Sequence, residues 1–574
     1  MFKSYIIYYS FIILTFFVGC SNYNDIKKNP SIIGDINDTN SWYNDTNYDV
    51  RIINITIPNP NELNCSSYNN KNGDKRNCTL EDIVHDIDGY DNYKPELSVL
   101  ISSNNLNPSV ENAIFKLRGD YSRKSTLGHN NYEEDAKVKS YSIKLFSKKD
   151  LLWHQRKIQL SKYESDTTRV KNRLAFDLMK EIPNITSVKM QFVNLFVNDI
   201  DYGLYTHAEA IREEYLINRG WNKEDKLYNA GNCMFEPLDE LQVDSKGRPL
   251  DADAFDTILE IRTGEDHSNV MKMMQAIYSD TPIDQVIEKY FNRENYITWL
   301  AINLVLSNKD TTYHNFYLYN PLNSKTFYFI PWDYDGAWAT KNYLGKNEYG
   351  ISVWWKTLLH KKFMSVPQNL KDIYIKADYL RKKYITDAKI KEKLILYKKP
   401  ILEFSHKEPD SLFTSSNSWD AIIEKLSTGI VKNISLYKDV IGHPMPFWQA
   451  IKYQDDVLTI VWDKSIDLEG DEIVYDINVS KDINFLKNDI FNVKNIKDLS
   501  YSKNIHLNMG IYYLKVISKE KLNSSHYQIS YTQAYDKNNT IHAPSSIRFG
   551  ILKFEIDKNG NLNFEDESNL LNKE

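Results

Sequence analysis

The alternation of apolar and polar positions predicts a β-rich region in the first half of the chain. Apolar and polar residues alternate with a period of two in Leu97 to Ile101, Ala113 to Arg118 and Tyr141 to Phe146. Such alternation is typical of half-buried strands. Between Asp166 and Lys180 the period becomes that of a helix. Strands are predicted again further on, at Val188 to Val197 and Tyr202 to Tyr205. We therefore expect a small sheet lobe with one crossing helix.

Past residue 209 the pattern becomes mainly helical. The clearest helix is predicted from Glu294 to Leu306, where apolar residues form a stripe along one face. Two short strands follow, Phe316 to Tyr319 and Thr326 to Ile330, and the residues between them favour a turn. This order predicts a second, helical lobe that carries one β-hairpin.

The pattern changes once more at about Pro444, where short strands separated by turn residues begin. Strands are predicted at Val457 to Trp462, Ile473 to Val479 and Gly510 to Val516. This part, about residues 445–560 with a tail at 561–574, resembles a fibronectin type III β-sandwich. The expected fold class is therefore α+β, with a two-lobed domain followed by an all-β sandwich that spaces or binds.

The amino terminus has the pattern of an export signal over residues 1–20. Lys3 precedes an apolar run from Tyr5 to Val18, which is too short to span a bilayer comfortably. The run ends just before Cys20 in a context that resembles a bacterial lipobox, so Cys20 is the predicted lipidation site. An ordinary signal peptide with an incidental cysteine and an uncleaved anchor are the alternatives. We expect a protein of the cell envelope that is anchored to the membrane and faces outside the cytoplasm.

Residues 21–95 are rich in Asn, Asp, Ser and Pro, and they are predicted to form a low-complexity tether. The stretch contains one alternating apolar patch, Val50 to Ile55. It also contains Cys65 and Cys78, for which a disulfide is compatible with export but not required by the sequence. Cys233 would then be unpaired, and no Cys/His spacing is typical of a zinc site.

Composition and charge narrow the classes of partner. The chain has 71 Lys and Arg against 77 Asp and Glu, a net charge of −6 over 574 residues. This balance is nearly neutral for the size, so no basic field argues for nucleic acid as a partner. A chain of this length is expected to divide into several folded units.

Three polar residues around the predicted hairpin have a spacing that suits phosphoryl transfer. Asp310 and Asn315 lie in the loop after the long helix, in a D-x-x-x-x-N pattern, and Asp333 follows the second strand. A hairpin would return Asp333 to the side of that loop. Phosphoryl transfer needs a carboxylate near the attacking hydroxyl and oxygen ligands for Mg²⁺. The same pattern also arises by chance, and Asp-x-Asp after a strand is often only a turn.

Six segments in order resemble the CotH family of spore-coat and other secreted kinase-like proteins, over about residues 96–435. They are FKLRGD (115–120), KSYSIK (139–144), RVKNRLAFD (169–177), YGLY (202–205) with Glu209, HNFYLY (314–319) and IPWDYDGA (330–337). The resemblance implies an atypical protein kinase domain over about 96–440, with an N-lobe at about 96–211 and a C-lobe at about 212–440. It also implies transfer of the ATP γ-phosphate to Ser or Thr of exported proteins, with Mg²⁺ or Mn²⁺ as the metal.

The resemblance also implies roles for the polar residues of the hairpin region. Carried over by position, Asp310 is the catalytic carboxylate, and Asn315 and Asp333 are metal ligands. Asp335 is a candidate for a second metal or for supporting the first. The lone His314 is interpreted as a residue that positions the loop or packs there.

The nucleotide-binding residues are less clearly marked, because the chain has no GxGxxG loop. Lys144, on a predicted strand, is the first candidate for a phosphate-binding lysine, although a solvent-facing role is an equal alternative. Arg118 is a second candidate for phosphate contact. Glu209, where the two lobes should meet, could contact adenine or ribose, or cap the next helix. Asp177 and Glu181 are weak candidates for the helix carboxylate that pairs with the lysine in protein kinases.

Two other functions compete with a surface kinase. The predicted lipid anchor, the C-terminal sandwich and the scarcity of ATP outside cells favour a non-catalytic surface adhesin or scaffold. A metal-dependent hydrolase could use the same acidic cluster, but the sequence offers no His ligand set for it. The expected partners of the kinase are an exported or surface protein as substrate and the membrane through the lipid anchor.

Overall fold

The computed structural model describes residues 36, 48–58, 79–86, 95–103, 110–119, 121–124, 131–147, 152–163, 166–308, 310–338, 354, 357–415, 417–487, 489–530, 534–535, 541–542 and 550–563. The predicted signal segment with Cys20 lies outside these residues, as do Cys65 and Cys78. Cys233 is described and is buried with a free thiol. Within the described ranges, no helix combines the length and apolar character needed to cross a bilayer.

The first lobe is a closed barrel of seven strands. They are β1 (Arg51–Thr56), β2 (Leu97–Ser102), β3 (Val110–Leu117), β4 (Tyr141–Leu145), β5 (Lys157–Ser161), β6 (Met190–Val197) and β7 (Ile200–Glu209). Their order around the barrel is β1-β2-β3-β4-β5-β7-β6. Inward-facing residues of all seven strands form one apolar core, which includes Ile53, Phe115, Ile143, Leu160 and Leu195. Alternation along each strand therefore fills the barrel from every side.

The barrel closes through a strand that lies inside the predicted tether. β1 pairs antiparallel with β2 and parallel with β6, and its Ile53 and Ile55 are buried. The short helix α1 (Leu80–Val84) also belongs to this region, and its amino end has a capping box formed by Thr79 and Asp82. The boundary at residue 95 thus needs correction, because β1 supplies a strand without which the sheet would have two open edges.

Helices of the first lobe lie outside the barrel. They are α1, α2 (Tyr121–Lys124), α3 (Tyr132–Ala136) and α4 (Lys171–Met179). α4 is the predicted crossing helix, and its Leu174, Phe176 and Leu178 pack into the core of the second lobe. Strand β5, just before α4, is an element that the sequence pattern did not indicate. α4 therefore connects the barrel to the helical lobe.

The second lobe is mainly helical, as predicted. Its helices are α5 (Glu213–Asn218), α6 (Ala252–Ile258), α7 (Ser268–Tyr278), α8 (Ile283–Tyr290), α9 (Arg293–Val305), α10 (Leu358–Met364), α11 (Pro367–Lys383), α12 (Asp387–Ser405) and α13 (Trp419–Ile441). A four-stranded sheet, in the order β11-β10-β8-β9, lies among them and consists of β8 (Lys226–Ala230), β9 (Leu259–Thr263), β10 (Phe316–Asn320) and β11 (Tyr328–Pro331).

Helix α9 is the centre of the helical lobe. Every residue from Asn295 to Val305 is buried, so the helix is enclosed on all faces and not only along the predicted stripe. Its Trp299 is fully buried and stacks on Phe329 of β11 with ring centroids 4.5 Å apart. The hairpin of β10 and β11 is thereby fixed against the helix that precedes it.

A buried carboxylate joins the two lobes. Asp410, which is 1% exposed, accepts hydrogen bonds from Arg169 Nη1 at 2.8 Å and from the Leu204 backbone N–H at 2.7 Å. Lys162 Nζ lies 3.3 Å from the same carboxylate. Gly203 permits this approach, because a Cβ built there would lie 2.0 Å from Asp410 Oδ2. Leu204 of β7 and two residues of the β5–α4 connection, Lys162 and Arg169, thus hold Asp410 of the helical lobe.

The C-terminal part consists of two facing sheets with a shared core. The first sheet contains β12 (Gln449–Gln454), β13 (Val457–Trp462), β16 (Ser500–Asn504), β19 (Ala534–Tyr535) and β20 (Ile541–His542). The second contains β14 (Ile473–Ser480), β15 (Asp489–Ile496), β17 (Gly510–Glu520), β18 (Tyr527–Ile529), β21 (Ile551–Ile556) and β22 (Leu562–Asn563). Trp462 of one sheet packs on Tyr475 of the other, with ring centroids 5.3 Å apart. This is a β-sandwich, and its fibronectin type III character stays a prediction.

Replacement of Asp410 by Ala should destabilise the two-lobed domain by about 3–5 kcal/mol, because Arg169 and Lys162 would be left buried without their partner. Urea denaturation followed by circular dichroism measures the effect. The matched control is Glu181→Gln, which breaks a solvent-exposed ion pair with Lys389 and should cost less than about 1 kcal/mol. An Asp410→Ala protein that unfolds at the same urea concentration as wild type would contradict this account of the lobe junction.

Candidate active site

Asp310 lies in the loop between α9 and β10, at the position the sequence predicted. Its carboxylate accepts a hydrogen bond from Asn315 Nδ2 at 2.9 Å and is 3.0 Å from His314 Nε2. Asn315 Nδ2 also donates to the Asp310 carbonyl oxygen at 2.9 Å. The Asp310 side chain is 52% exposed. The loop therefore orients this carboxylate from two sides while leaving it accessible to a substrate.

The hairpin returns the Asp333 segment to the Asp310 loop. β10 and β11 pair antiparallel, with Phe316 opposite Pro331, so the chain after β11 arrives beside the start of β10. A Cβ built on Gly336 would lie 3.3 Å from the Asp310 Cβ, which shows how closely the two segments approach. Within the described residues, the structure thus confirms that the predicted hairpin clusters the acidic groups.

Two of the predicted site residues have left-handed backbone conformations. Asn315 has φ of 58° and Asp333 has φ of 56°. Such angles are uncommon for residues other than glycine and persist only where the surroundings enforce them. The backbone at both positions is therefore held in place by its neighbours, and this could not be inferred from the residue types.

Helix α4 anchors the segment between the two aspartates. The Tyr334 backbone N–H donates to Asn172 Oδ1 at 2.9 Å, and Asn172 Nδ2 donates to the Tyr163 hydroxyl. The Tyr334 ring packs edge-on against Phe176 of α4, with ring centroids 5.5 Å apart. Asn172 is a positioning residue that the sequence reasoning missed, although it lies inside the RVKNRLAFD segment.

Burial and neighbouring charges shift the acids of the cluster. Burial, together with the Asp310 charge, raises the pKa of Asp333 to about 6, and the Arg118 charge acts in the opposite direction. Burial, followed by the charges of Asp333 and Asp166, raises the pKa of Asp335 well above its usual value. Carboxylates crowded in this way favour either a proton or a cation at the site.

The donor set fits a hard divalent metal ion. Asp333 is half-buried and receives no hydrogen bond from the described residues on either carboxylate oxygen. Asn315 uses its NH₂ group on Asp310, so its amide oxygen is available to a ligand. Mg²⁺ and Mn²⁺ prefer a few oxygen ligands of this kind and keep several waters. Asn315, Asp333 and Asp335 therefore provide oxygen atoms of the kind that such an ion binds.

Arg118, the second candidate for phosphate contact, lies next to the acidic cluster. It is near enough to Asp333 for its positive charge to lower the pKa of that carboxyl. Its Nη1 donates to the Ser161 hydroxyl, and its backbone N–H donates to the Ser140 carbonyl at 3.0 Å. The guanidinium is thus placed at the end of β5, beside the metal ligands.

Lys144 lies in β4, on the wall of a cleft of about 880 Å³ between the barrel and the helical lobe. Its side chain is exposed. Directly opposite it in the register of β4 and β5 is Lys157, which is half-buried in the same cleft. Lys144 therefore lies in this cleft, but nearer to solvent than Lys157.

Glu209 has a different environment from the predicted nucleotide contact. It is fully buried and forms two hydrogen bonds with Arg219, at 3.0 and 3.1 Å, and a third with the Lys189 backbone N–H at 3.2 Å. The residues lining the cleft do not include it. Glu209 is therefore part of a buried structural ion pair, since a bidentate arginine satisfies both its oxygens.

The two weak candidates for a helix carboxylate also have other partners. Asp177 lies 3.6 Å from Arg173 and accepts a hydrogen bond from the Tyr397 hydroxyl. Glu181 pairs with Lys389 of α12. Neither forms an ion pair with Lys144 within the described part of the chain. Within the described residues, Lys144 therefore does not form the ion pair with Asp177 or Glu181 that a strand lysine forms with a helix carboxylate in protein kinases.

A family model described as "CotH kinase protein" matches residues 116–434, which is more than half of the chain. The inner spore coat protein H of Bacillus subtilis (strain 168) is 27% identical over 210 residues, which cover 36% of this chain and 56% of that protein. The matched part therefore spans little more than half of that relative's length.

Two solved structures are similar at low identity. The Helicobacter pylori proinflammatory kinase CtkA is 12% identical, and the match covers 55% of this chain and 94% of that chain with a TM-score of 0.26. An Fn3-like protein from Clostridium thermocellum is 15% identical over 15% of this chain and 82% of that chain, with a TM-score of 0.12. These scores are too low to carry an argument about this chain.

Asp333→Asn should raise the melting temperature of the metal-free protein by a few degrees at pH 7.5. A carboxyl whose folded-state pKa is raised to about 6 destabilises the fold when it is ionised, and this penalty disappears as the pH falls towards 4. Differential scanning fluorimetry between pH 4 and 8 measures both trends.

Mn²⁺ should stabilise wild type more than Asp333→Asn in the same assay, because binding to the native state adds to its stability. Asp253→Asn, which removes an exposed acid from the first turn of α6, should respond to Mn²⁺ like wild type. A metal-free Asp333→Asn protein that melts below wild type at pH 7.5 would contradict the proposed electrostatic penalty.

Proposed function

Because the chain belongs to the CotH kinase protein family, we propose that it is a metal-dependent atypical protein kinase that phosphorylates Ser or Thr of exported proteins. The family itself indicates an atypical protein kinase. The observation that carries the finer proposal is the convergence of Asp310, Asn315 and Asp333 from two segments joined by the β10–β11 hairpin. The exposed carboxylate of Asp310 lies on one side of this arrangement, and the oxygen atoms of Asn315 and Asp333 lie on the other.

Asp310 is proposed to act on the acceptor hydroxyl. Its exposed carboxylate can accept the hydrogen bond of a Ser or Thr hydroxyl and orient the oxygen towards the γ-phosphorus. His314 and Asn315 hold Asp310 in one orientation, which reduces the entropy lost when the acceptor is aligned. His314 thus acts through Asp310 as a positioning residue.

Asn315, Asp333 and Asp335 are proposed to hold Mg²⁺ or Mn²⁺. When bound, the ion would neutralise negative charge on the ATP phosphates during transfer. Asn172 and the left-handed conformation at Asp333 hold the backbone that carries the two carboxylates. Arg118, whose charge acts on Asp333, is proposed to contact the nucleotide from the barrel side.

The place of action is proposed from the amino-terminal sequence. The apolar segment before Cys20 and the small residue next to it support export and lipid attachment at that cysteine. The enzyme would then work at the cell envelope on exported or surface proteins, with the membrane as its second partner and no role for nucleic acid. The C-terminal sandwich, with its own core, would space the kinase domain or bind a partner.

Asp310→Asn should lower the transfer of the ATP γ-phosphate by about 10²- to 10⁴-fold, the usual contribution of a positioned carboxylate. The measurement is incorporation of radiolabelled phosphate into the protein itself or into an exported protein extract, in Mn²⁺ or Mg²⁺. Binding of Mn²⁺ by the variant should remain, because Asp333 and Asp335 are intact.

Asp253→Asn is the control in this assay and should transfer phosphate like wild type. Equal activity of wild type and Asp310→Asn would contradict the proposed role of Asp310. If both proteins are inert with every metal and substrate while the full chain still binds a surface partner, the non-catalytic adhesin or scaffold becomes the better explanation.

Cys20→Ala should release the protein from the membrane. Without the thiol no lipid can be attached at residue 20. Once the apolar segment before it has been cleaved off, the chain keeps nothing at this end that anchors it stably in the bilayer. Cell fractionation followed by immunoblotting checks this, with Cys233→Ala as the matched cysteine control. A Cys20→Ala protein that stays in the membrane fraction would favour the uncleaved anchor.

A further inference from the structure

The cleft between the lobes has positively charged side chains on both walls. Those from the barrel and from the helical lobe are Lys116, Lys144, Arg156, Lys157, Arg212, Lys223 and Arg262, and the acids Glu96, Glu213, Glu214, Glu224, Glu265 and Asp266 line the same cleft. A volume of about 880 Å³ is within the range of sites that hold a ligand of nucleotide size. Because the cations and the acids are nearly equal in number, the place where an anion would bind depends on which cations lack an acidic partner.

Four of these cations have no acidic ion-pair partner within the described residues: Lys144, which is exposed, Arg156, whose Nε donates to the Leu145 carbonyl oxygen, Lys157 and Arg212. Lys116 pairs with Glu96, and Arg262 pairs with Glu260. In contrast, Lys157 Nζ and the Arg212 guanidinium make no hydrogen bond or ion pair within the described residues, and both side chains are half-buried. Partly desolvated cations without partners are costly, so their retention in a cleft indicates a ligand that supplies the missing negative charge.

The electrostatics of Lys157 show the same crowding. Burial, together with the charges of Arg212, Arg262, Arg118 and Lys116, lowers its pKa to about 7. These groups face Lys157 from β3, from the start of α5 and from β9, and the opposite residue on β4 is Lys144.

Arg212 has a lowered pKa as well, first because of burial and then because of Arg262. Tyr317, Glu260 and Glu214 act in the opposite direction without cancelling the effect. At Arg212, burial and the Arg262 charge together therefore outweigh these opposing groups.

We propose that Lys157 and Arg212 bind the phosphate groups of the nucleotide, the role for which the sequence pattern favoured Lys144. This assignment rests on the proposed kinase function and names the phosphate site within it. Arg118 provides the connection, because it is close enough to influence both Lys157 and Asp333. A polyphosphate that extends from Lys157 past Arg118 would reach the metal ligands.

The geometry distinguishes Lys157 from Lys144. Residues directly opposite each other in an antiparallel pair project to the same side of the sheet, so both lysines face the cleft. Lys144 is exposed, whereas Lys157 is half-buried. Hydrogen bonds to a charged group contribute more where water is excluded, so the deeper lysine should contribute more to phosphate binding.

The test is isothermal titration calorimetry of the full-chain protein with tripolyphosphate, ATP and adenosine at pH 6.5. Lys157→Met should weaken binding of ATP and tripolyphosphate by about tenfold or more, as expected for loss of a charge-assisted hydrogen bond. Adenosine binding should stay the same. Lys144→Met tests the competing assignment and should lose less than Lys157→Met, and Lys272→Met, on the exposed face of α7, is the neutral control.

The ratio of wild-type to Lys157→Met affinity for tripolyphosphate should fall as the pH rises from 6.5 to 8.5. Lys157 loses its proton in this range, although a bound anion shifts the loss to higher pH. Use of the ratio cancels the titration of tripolyphosphate itself. A ratio that stays constant with pH would contradict the role of the Lys157 charge.

Misfolding can be separated from loss of the site. Lys157→Met removes a charge crowded by like charges, so the variant should melt no lower than wild type in the absence of ligand. The proposal is overturned if Lys157→Met binds tripolyphosphate like wild type, if Lys144→Met loses as much, or if only adenosine binding weakens.

The same variants also separate a failure of the proposed phosphate site from a failure of the proposed kinase function. Wild type that binds ATP through Lys157 but transfers no phosphate would contradict the kinase proposal and support the site. A Lys157→Met protein that transfers phosphate with an unchanged KM for ATP would overturn the site and leave the kinase proposal standing.

Discussion

The active-site arrangement depends on the carboxyl end of helix α9, which is buried and needs donors for its last carbonyl groups. The Leu306 carbonyl accepts from the Trp338 backbone N–H at 2.6 Å, and the Val305 carbonyl accepts from Asn433 Nδ2 at 2.8 Å. Trp338 comes five residues after Asp333, at the end of the segment that approaches Asp310. Satisfying the helix end therefore also brings the two acidic segments together. A change that loosened this helix end would separate the candidate catalytic carboxylate from the candidate metal ligands.

Charges of opposite sign are crowded on the two sides of Arg118. On one side, burial raises the pKa of Asp333 and Asp335; on the other, burial lowers the pKa of Lys157. Each group is thus destabilised in its charged form when no ligand is present. A metal–nucleotide complex carries a cation and a polyanion together, so it would relieve both penalties at once. This complementarity does not depend on overall similarity to solved kinase structures, because it follows from the acidic cluster on one side of Arg118 and from Lys157 on the wall of the cleft.

Local patterns predicted the elements around Asp310 well, because α9 and the hairpin have strong periodicity and few residues separate them. The prediction was wrong for β1, whose partners include Val193, far along the chain, since long-range pairing leaves little trace in local composition. Glu209 occupies the expected junction, but its burial with Arg219 depends on packing that the sequence pattern does not show. Lys144 was predicted on a strand from the alternation alone, but that Lys157 lies opposite it follows only from the register of β4 and β5.

Strand β5 has different surroundings at its two ends. Lys157, at its start, opens onto the cleft, whereas Lys162, just past its end, is buried and lies 3.3 Å from Asp410 of the helical lobe. Separating a buried ion pair is costly, so the lobes are held together at that end of the strand. Any narrowing of the cleft around a ligand must then pivot near Asp410. The helical-lobe wall that carries Arg212 and Arg262 would approach Lys157, while the acidic cluster beside α4 keeps its geometry through Asn172 and Tyr334.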